Sequence, residues 1–271
     1  MLLGGFDGLH LGHRQLLSRA KESGLPVGIM TIVGAKGQKN LFTFAEREQI
    51  FKTSGADFVF ELPFAEIKDL SADDFIRLLQ TGFSPRVFVC GEDFRFGAGA
   101  KGDAETLKAM DTVRVEVLPL VEIGGEKVSS GTVKKHLEKG DVATANALLG
   151  EEFFLLGEVI KDRQVGRTLG FPTANILYPG AKFPLKTGVY ETKIRVGNDT
   201  YRGITNYGAR PTFDNDVVLT ETYLDGFSGD LYGKTLKIDF VRYLRDIQKF
   251  DSADELKKQL TQDIGRVRNH D

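Results

Sequence analysis

Short apolar segments alternate with amphipathic segments over the first 150 residues of the chain. The apolar segments predict strands at 1–3, 27–33, 57–61, 86–90 and 113–119. The intervening segments carry apolar residues at helical spacing and predict helices at 13–23, 44–54, 72–81 and 104–109. Strands that alternate with helices pair in parallel and are covered on both faces. The pattern therefore predicts an α/β domain with a doubly wound, mostly parallel sheet, whose ligands bind at the carboxyl ends of the strands.

The pattern changes near residue 150. After two short helices predicted at 129–136 and 141–149, β-rich segments follow at 157–161, 188–196, 200–206, 219–224 and 235–243. Turn residues separate these segments, which is typical of an antiparallel barrel or sandwich. A last amphipathic helix is predicted at 252–267. We therefore predict two domains, 1–150 and 151–271, of which the second is an antiparallel β-barrel with a terminal helix.

Composition narrows the class of protein. Lys and Arg total 36 against 38 Asp and Glu, so no overall positive field exists and we expect no nucleic-acid partner. A single cysteine excludes an intramolecular disulfide framework and a cysteine-based zinc cluster. No apolar run approaches the ~18–20 residues of a membrane helix, and no signal-like segment opens the sequence. We therefore expect no membrane partner and a cytoplasmic location; the sequence does not determine the oligomeric state.

A glycine-rich turn joins the first strand to the first helix as Gly5-Phe6-Asp7-Gly8, and it is followed by His10-Leu11-Gly12-His13. Glycines let backbone N–H groups approach a phosphate, and the helix N-terminus favours an anion there. His10 and His13 can donate hydrogen bonds to phosphoryl oxygens without burial of a permanent cation. The turn therefore predicts a site for nucleotidyl transfer, in which positioned donors stabilise charge on the α-phosphate. The alternative is that the histidines only cap the helix.

This string resembles the His-x-Gly-His signature of the nucleotidyltransferase superfamily, and it is most similar to the N-terminal module of prokaryotic bifunctional riboflavin kinase/FAD synthetases. The segment Gly91-Glu92-Asp93-Phe94-Arg95-Phe96-Gly97 resembles a second landmark of that family. The resemblance implies catalytic roles for His10 and His13. It also implies nucleotide or flavin binding by Gly5, Phe6, Asp7, Gly8, Gly91, Asp93 and Phe94. The residues alone leave open that Phe94 and Phe96 fill the core.

The segment Ser129-Ser130-Gly131-Thr132-Val133-Lys134 resembles a third landmark, which is normally Ser-Ser-Thr-x-Ile-Arg. It implies that Ser129, Ser130 and Lys134 hold the triphosphate. Gly131 and Lys134 differ from that pattern, and so do residues 33–37, where the family has Phe-x-Pro-His-Pro. Lysine supplies charge without the bidentate fork of arginine. Family members also have a longer strand before the first glycine, so we expect this sequence to begin within that strand.

A second glycine-framed segment, Gly166-Arg167-Thr168-Leu169-Gly170-Phe171-Pro172-Thr173-Ala174-Asn175, lies in the other half of the chain. The Thr173 hydroxyl and the Asn175 amide present two neutral oxygens, which suit Mg²⁺ bound together with ATP. Glu221, on a later predicted strand, is a candidate base for a hydroxyl nucleophile. The alternative is that Thr173 and Asn175 cap a turn.

The string Gly-Arg-x-Leu-Gly-Phe-Pro-Thr-Ala-Asn resembles the riboflavin kinases. The resemblance continues through Gly188-Val189-Tyr190, Asn206-Tyr207-Gly208-Ala209-Arg210-Pro211-Thr212-Phe213, Asp230-Leu231-Tyr232-Gly233 and Leu244-Arg245 with Lys249-Phe250. It implies that Thr173 and Asn175 bind magnesium and that Glu221 is the catalytic base. Tyr223 stands where the family often has His. The implied nucleotide- or flavin-binding residues are Gly166, Arg167, Gly170, Pro172, Asn206 and Arg210.

Three hypotheses follow for the function. The first is a bifunctional enzyme that phosphorylates riboflavin to FMN in the C-terminal domain and joins FMN to AMP in the N-terminal domain, which yields FAD and pyrophosphate. ATP is the co-substrate of both steps and Mg²⁺ the cofactor, so riboflavin, FMN, FAD and ATP are the expected partners. The second is a riboflavin kinase alone, motivated by Gly131, Lys134 and residues 34–37. The third is a flavin-responsive regulator without turnover.

Overall fold

The computed structural model describes residues 1–34, 39–109, 113–161, 171–209 and 218–269. Its backbone contacts divide the chain into two compact units, Met1–Thr132 and Val133–Asp271. That division falls inside a helix, and the functional boundary near residue 150 stays a prediction. Within the described ranges, no helix is both long enough and apolar enough to span a bilayer.

The first unit is built on a five-stranded parallel sheet in the order β3-β2-β1-β4-β5. The strands are β1 (Leu2–Leu3), β2 (Gly28–Val33), β3 (Phe58–Pro63), β4 (Val87–Gly91) and β5 (Arg114–Leu118). The central strands are apolar on both faces, and Leu2, Ile29 and Cys90 are all inaccessible to solvent. The doubly wound sheet that the alternating pattern predicts is confirmed.

Helices connect these strands and begin where the sequence supplies a cap. They are α1 (Leu11–Lys21), α2 (Phe44–Ser54), α3 (Phe64–Ile67), α4 (Ala72–Phe83), a single 3-10 turn (Ala98–Ala100) and α5 (Ala104–Lys108). Thr43 and Glu46 form a reciprocal capping box at the start of α2. Ser71 caps α4 by accepting the Asp74 backbone N–H. A hairpin of β6 (Glu122–Ile123) and β7 (Glu126–Lys127) leads to α6 (Ser130–Lys139), which continues into the second unit.

The second unit is a six-stranded antiparallel sheet in the order β8-β13-β10-β11-β12-β9. Its elements are α7 (Val142–Leu149), β8 (Phe153–Glu158), β9 (Thr173–Leu177), β10 (Gly188–Val196), β11 (Asp199–Ala209), β12 (Val218–Leu224), β13 (Thr235–Arg245) and α8 (Ala253–Arg268). An antiparallel bridge between Ile160, just beyond β8, and Asn175 of β9 joins the two edges of the sheet. The predicted barrel with a terminal helix is confirmed.

Two strands of this barrel differ from the sequence prediction. The segment predicted at 157–161 begins four residues earlier, at Phe153, because Phe153, Phe154 and Leu155 are all buried and pair with β13. The Thr173–Leu177 segment, for which the residues alone left a capped turn open, is strand β9 and pairs with β12. A run of polar and apolar residues after a proline resembles a turn locally, and only pairing with a distant strand makes it extended.

The two faces of the barrel carry different chemistry. On one face the buried hydroxyls of Thr192, Thr205 and Thr222 form a hydrogen-bonded series with 2.9 Å between successive oxygens. On the other face, Ile264 and Val267 of α8 pack with apolar residues of β10 and β11. Because side chains alternate along a strand, Asn206 and Glu221 lie on the face opposite the threonines. The candidate catalytic residues of this unit therefore share the face that α8 covers.

Candidate functional site

The two histidines of the first unit form a stacked pair at the start of α1. His10 is the N-cap residue, and its Nδ1 accepts a hydrogen bond from the His13 backbone N–H at 3.3 Å. The imidazole rings lie 3.7 Å apart between centroids, at an interplanar angle of 18°. His13 Nδ1 lies 2.9 Å from the Gly8 carbonyl oxygen. The cap is therefore present, and it fixes both rings beside the glycine-rich turn.

These contacts assign opposite tautomers to the two rings. His10 Nδ1 is an acceptor, so the proton of neutral His10 sits on Nε2. His13 Nδ1 faces a carbonyl, so it carries the proton and donates, which leaves Nε2 of neutral His13 as an acceptor. His10 can thus donate to a phosphoryl oxygen while neutral. His13 must first gain a proton to do so.

Burial keeps both imidazoles neutral in the free protein. It lowers the pKa of His10 to about 2, and the positive charges of His13 and Lys127 act in the same direction. Burial also lowers the pKa of His13 to about 4, against the hydrogen bond to Gly8 and the charge of Asp93. The negative charge of an anion bound beside the pair would favour the protonated form of His13. The pair is therefore electrically neutral until an anion binds.

The glycine-rich turn is held in shape by its own side chains. The Asp7 carboxylate accepts the Leu41 backbone N–H, with 2.9 Å to each oxygen. Phe6 is fully buried, with its ring 4.3 Å from that of His13. Gly8 has a φ of +135°, and a Cβ there would meet the Phe42 ring at 2.8 Å. A Cβ on Gly5 would meet no atom within 4 Å, so the backbone at Gly5 is open to a ligand.

The second landmark, after β4, divides into a polar and an apolar part. Phe94 and Phe96 are 9% and 6% exposed and pack in the core of the first unit. Phe94 thus has a packing role, and its role beside a ligand stays a prediction. The Asp93 carboxylate forms an ion pair with Lys127 at 2.5 Å. Gly91 ends β4 and accepts the Phe94 backbone N–H through its carbonyl oxygen.

Lys127 is a residue that the sequence reasoning missed. Its charge is near enough to His10 to lower the pKa of that imidazole, and it also pairs with Asp93. It therefore links the first and second landmarks. The available signal was a lone cation two residues before Ser129, which no motif distinguishes from an ordinary surface lysine.

The third landmark caps α6. The Ser129 hydroxyl accepts the Thr132 backbone N–H at 3.1 Å and lies 2.9 Å from the Thr132 hydroxyl. Ser130 is the first residue of α6, so its N–H is among those that a helix leaves without an intrahelical partner. Lys134 lies one turn along α6, in the second unit, with its ammonium 5.5 Å from the centroid of the Phe183 ring.

Strand register brings the candidate residues of the second unit together. Asn206, Glu221 and Asn175 are direct cross-strand neighbours on β11, β12 and β9. The next row holds Ile204, Tyr223 and Thr173. Direct neighbours on one face have Cβ atoms roughly 4.5–5.5 Å apart. Thr173 and Asn175 therefore lie on one side of Glu221, and Asn206 lies on the other.

Two buried oxygens in this row have no hydrogen-bond partner among the residues that the structure describes: Oδ1 of Asn175 and Oδ1 of Asn206. Asn175 is only 5% exposed. A buried acceptor left unpaired costs roughly 1–3 kcal/mol, so it points to a ligand that completes it. No cluster of three or more His, Cys, Asp or Glu suited to a metal occurs among the described residues. A hydroxyl and an amide oxygen fit Mg²⁺ that takes its other ligands from phosphates and water.

Two cavities meet at Thr173. The larger, about 580 Å³, is lined by Pro172, Thr173 and Asn175 together with the 227–232 segment. The smaller, about 290 Å³, is lined by Thr173, Asn206 and Glu221, with Phe171 and Tyr223 in edge-to-face contact at 5.5 Å between ring centroids. Glu221, the candidate base, lines only the smaller cavity, and Asn175, a candidate metal ligand, lines only the larger one. Thr173 lines both. Gly166, Arg167, Gly170 and Arg210 lie outside the described residues.

Comparisons with known proteins agree with both halves. A family model described as FAD synthetase matches residues 1–132, and one described as riboflavin kinase matches residues 149–270. A crystal structure described as a macrolide-efflux protein from Streptococcus pneumoniae superposes with a TM-score of 0.91 at 30% identity, covering 100% of this chain and 93% of that one.

Curated relatives match almost end to end. The Bacillus subtilis bifunctional riboflavin kinase/FMN adenylyltransferase is 34% identical over 97% of this chain and 89% of its own length. The Escherichia coli K12 protein of the same name is 33% identical over 97% of this chain and 90% of its own length. This chain therefore belongs to the family of bifunctional riboflavin kinase/FMN adenylyltransferases.

Proposed function

We propose that this chain phosphorylates riboflavin to FMN in its second unit and adenylylates FMN to FAD in its first, with ATP as co-substrate of both steps. The observation that supports the kinase half most directly is the row Asn206–Glu221–Asn175, with a cavity on each side of Thr173. The neutral histidine pair beside an open glycine turn supports the adenylyltransferase half. Family membership favours both activities over a kinase alone.

In the kinase site the smaller cavity receives the flavin and the larger one receives ATP. Its apolar and aromatic lining suits the isoalloxazine ring, whereas the larger cavity presents the Thr173 and Asn175 oxygens. The riboflavin 5′-hydroxyl lies against Glu221, which accepts its proton as the oxygen attacks the γ-phosphorus of ATP. The bond between the γ-phosphorus and the bridging oxygen breaks, and ADP leaves. Asn206 Oδ1 accepts a ribityl hydroxyl, which satisfies the second buried oxygen. Positioning and electrostatics suffice, so no covalent enzyme intermediate is needed.

Thr173 and Asn175 are the residues that would hold Mg²⁺. The ion supplies positive charge that neutralises the phosphate oxygens of ATP and their developing charge during transfer. Pro172 fixes the backbone that leads into Thr173. Gly166, Arg167, Gly170 and Arg210 belong to this proposal through the resemblance alone.

In the adenylyltransferase site, His10 and His13 contact the phosphates of a second ATP. His10 donates through Nε2. His13 does so once the negative charge of the bound triphosphate has favoured uptake of a proton from solvent. Backbone N–H groups of the Gly5–Gly8 turn and the start of α6 at Ser129 and Ser130 hold further phosphate oxygens. Lys127 adds positive charge, whereas Lys134 belongs to this proposal through the resemblance alone. Gly91, Asp93 and Phe94 border the nucleotide and flavin. The FMN phosphate then attacks the α-phosphorus, and pyrophosphate leaves.

Gly131, which motivates the kinase-only alternative, is compatible with this site. A Cβ at Gly131 would come no closer than 3.7 Å to Ser129 Oγ, so crowding does not explain the glycine. The neighbouring Thr132 retains a hydroxyl, which donates to the Lys127 carbonyl oxygen at 2.7 Å.

No observation favours a regulator without turnover, since Thr173, Asn175 and Glu221 are all brought together. We also propose a cytoplasmic location, which the use of a single, buried cysteine supports.

Two reactions, both analysed by chromatography of the flavins, test the proposal. The full chain is incubated with ATP and Mg²⁺, once with riboflavin and once with FMN, and the flavins are separated by chromatography. We expect FMN and then FAD in the first reaction, and FAD in the second. FMN without FAD, even at high enzyme concentration, would leave a kinase alone. No FMN from riboflavin would overturn the kinase assignment.

A further inference from the structure

A buried ion pair forms part of the wall of the smaller cavity. Arg245, the last residue of β13, lines that cavity. Its Nε and Nη2 donate to Asp263 Oδ2 of α8 at 2.9 and 2.7 Å. Asp263 has no exposed surface, and its other oxygen accepts Gln259 Nε2 at 2.9 Å. One oxygen of the carboxylate therefore holds the guanidinium, and the other is held in place by Gln259.

Strand register extends the catalytic row to this arginine. Val189 pairs with Asn206 on one side and with Arg245 on the other, so Arg245, Asn206 and Glu221 belong to one line across the sheet. Three strand spacings separate Glu221 from Arg245, roughly 14 Å along the sheet. A substrate that reaches Glu221 with one end and extends along this cavity therefore meets Arg245 with the other.

The guanidinium keeps hydrogen-bonding capacity in reserve. Of its five N–H groups, two are bonded to Asp263 and one, on Nη1, donates to the Asp246 carbonyl oxygen at 3.2 Å. The two that remain have no partner among the residues that the structure describes. The Asp263 carboxylate cancels the positive charge, so this end of the cavity offers directed donors without net charge.

The rest of the lining selects the kind of molecule that these donors meet. Between Glu221 and Arg245 the wall consists mainly of apolar and aromatic side chains, namely Phe171, Val189, Ile204, Tyr223, Ile247, Phe250, Leu256 and Leu260. Such a slot fits a flat apolar ring system. Guanidinium donors whose charge is already balanced by Asp263 fit carbonyl oxygens better than a phosphate. The isoalloxazine ring has one carbonyl-bearing edge and one methyl-bearing edge. Only the former would satisfy the arginine.

We propose that Arg245 binds the carbonyl-bearing edge of the isoalloxazine ring and so sets flavin specificity and orientation, and that Asp263 is the positioning residue that holds Arg245. This inference rests on the proposed kinase function, because it takes riboflavin as the occupant of the smaller cavity. It assigns to α8 a part in substrate recognition through Asp263. The ribityl chain then points along the row toward Glu221.

Riboflavin analogues test the contact without any change to the protein. In 2-thioriboflavin and 4-thioriboflavin one ring carbonyl is replaced by a thiocarbonyl, which is a much weaker acceptor. We expect at least one of them to show a KM for phosphorylation about tenfold or more above that of riboflavin, because a hydrogen bond from a charged donor is lost. The KM for ATP should not change. Equal KM values for all three flavins would overturn the proposal.

Variants separate recognition from mere packing of α8. Arg245→Lys keeps the charge and loses the planar fork, so we expect the KM for riboflavin to rise about tenfold to hundredfold with little change in kcat. Asp263→Asn should also raise the KM for riboflavin, because the guanidinium loses the carboxylate that holds it. Both variants should also lose the discrimination against the thio analogue, which loosening of a helix alone would not remove.

Arg242→Lys is the matched control. Arg242 lies on the same strand, pairs with Glu191 at 2.6 Å and donates to the Arg266 carbonyl oxygen of α8, but it does not line the cavity. We expect its flavin discrimination to equal that of the wild type. If Arg242→Lys and Arg245→Lys lose discrimination equally, Arg245 acts only through α8 and the proposal is wrong. If the wild type forms no FMN at all, the proposed function fails instead.

Discussion

The two candidate sites are built in different ways. In the first unit, the histidine pair and its turn lie within nine consecutive residues, Gly5 to His13, and the backbone itself holds the anion site. In the second unit, Asn206, Glu221 and Asn175 come from three strands and meet only through register. The first site is therefore local in sequence, whereas the second depends on the whole sheet.

The sites also differ in how they treat charge. The first keeps two imidazoles neutral by burial until a triphosphate arrives. The second has two buried amide oxygens that lack a partner among the described residues, and it places them in one row with the Glu221 side chain. The histidine site is thus suited to bind an anion, and the site of the second unit is suited to bind a cation together with its nucleotide. The difference teaches that the two activities can be removed separately, because they share no residue.

The largest expected effect comes from Glu221→Gln. The variant keeps the shape of the side chain and removes the proton acceptor, so FMN formation should fall roughly a thousandfold. FAD formation from FMN should stay within about twofold of the wild type, because His10 and His13 are untouched. Both rates are read by chromatography of the flavins. Unchanged FMN formation would remove Glu221 as the base and with it the contrast between the two sites.

A smaller effect is expected from Asn175→Leu. Phosphorylation of riboflavin should fall about a hundredfold, and more Mg²⁺ should be needed for half-maximal rate. Stability should not fall, because Oδ1 has no hydrogen bond to lose in the free protein. Thermal unfolding and a Mg²⁺ titration of the rate measure both.

Leu177→Ala, on the same strand, is the control for Asn175. Leu177 is 48% exposed and lines neither cavity, so its replacement should change neither the rate nor the Mg²⁺ requirement. An Asn175→Leu protein with a normal rate and a normal Mg²⁺ requirement would contradict the metal assignment.

The smallest effect concerns acid stability of the first unit. His13 has a folded pKa of about 4 against 6.5 for the model value, so the unfolded state binds a proton first as the pH falls below 6.5. Stability is lost between about pH 6.5 and 4, amounting to about 2 kcal/mol from pH 7 to pH 5. His13→Gln should lose less free energy of unfolding over that range in urea titrations. His136→Gln is the control, because it removes a histidine outside the pair. If it reduced the loss of unfolding free energy between pH 7 and pH 5 as much as His13→Gln does, the account would be contradicted.

How much the sequence could predict differs between the sites for the same reason. His10, His13 and the turn follow from local spacing. The helix predicted at 13–23 is α1, which begins at Leu11 because His10 caps it. Thr173 and Asn175 read locally as a turn, because nothing near them in sequence specifies the pairing with β12. Their joint position with Glu221 came from resemblance to a family, and sheet register supplies the physical reason.

Some features had no usable signal in the sequence. Lys127 joins the histidine pair through the geometry of a hairpin, and Arg245 joins the second site through a pair with Asp263, 18 residues further on. Phe94 illustrates a second limit: its ring packs in the core, and the ligand contact that its motif implies stays a prediction. Charge and aromaticity alone do not tell a site from a core.

A complementation experiment tests the central claim of two independent sites most directly. The Glu221→Gln and His13→Ala proteins are each incubated with riboflavin, ATP and Mg²⁺, alone and mixed in equal amounts, and FAD is measured. We predict that Glu221→Gln alone converts almost no riboflavin, that His13→Ala alone stops at FMN, and that the mixture makes FAD. Loss of both half-reactions in either variant, or a mixture that forms no FAD, would contradict the account.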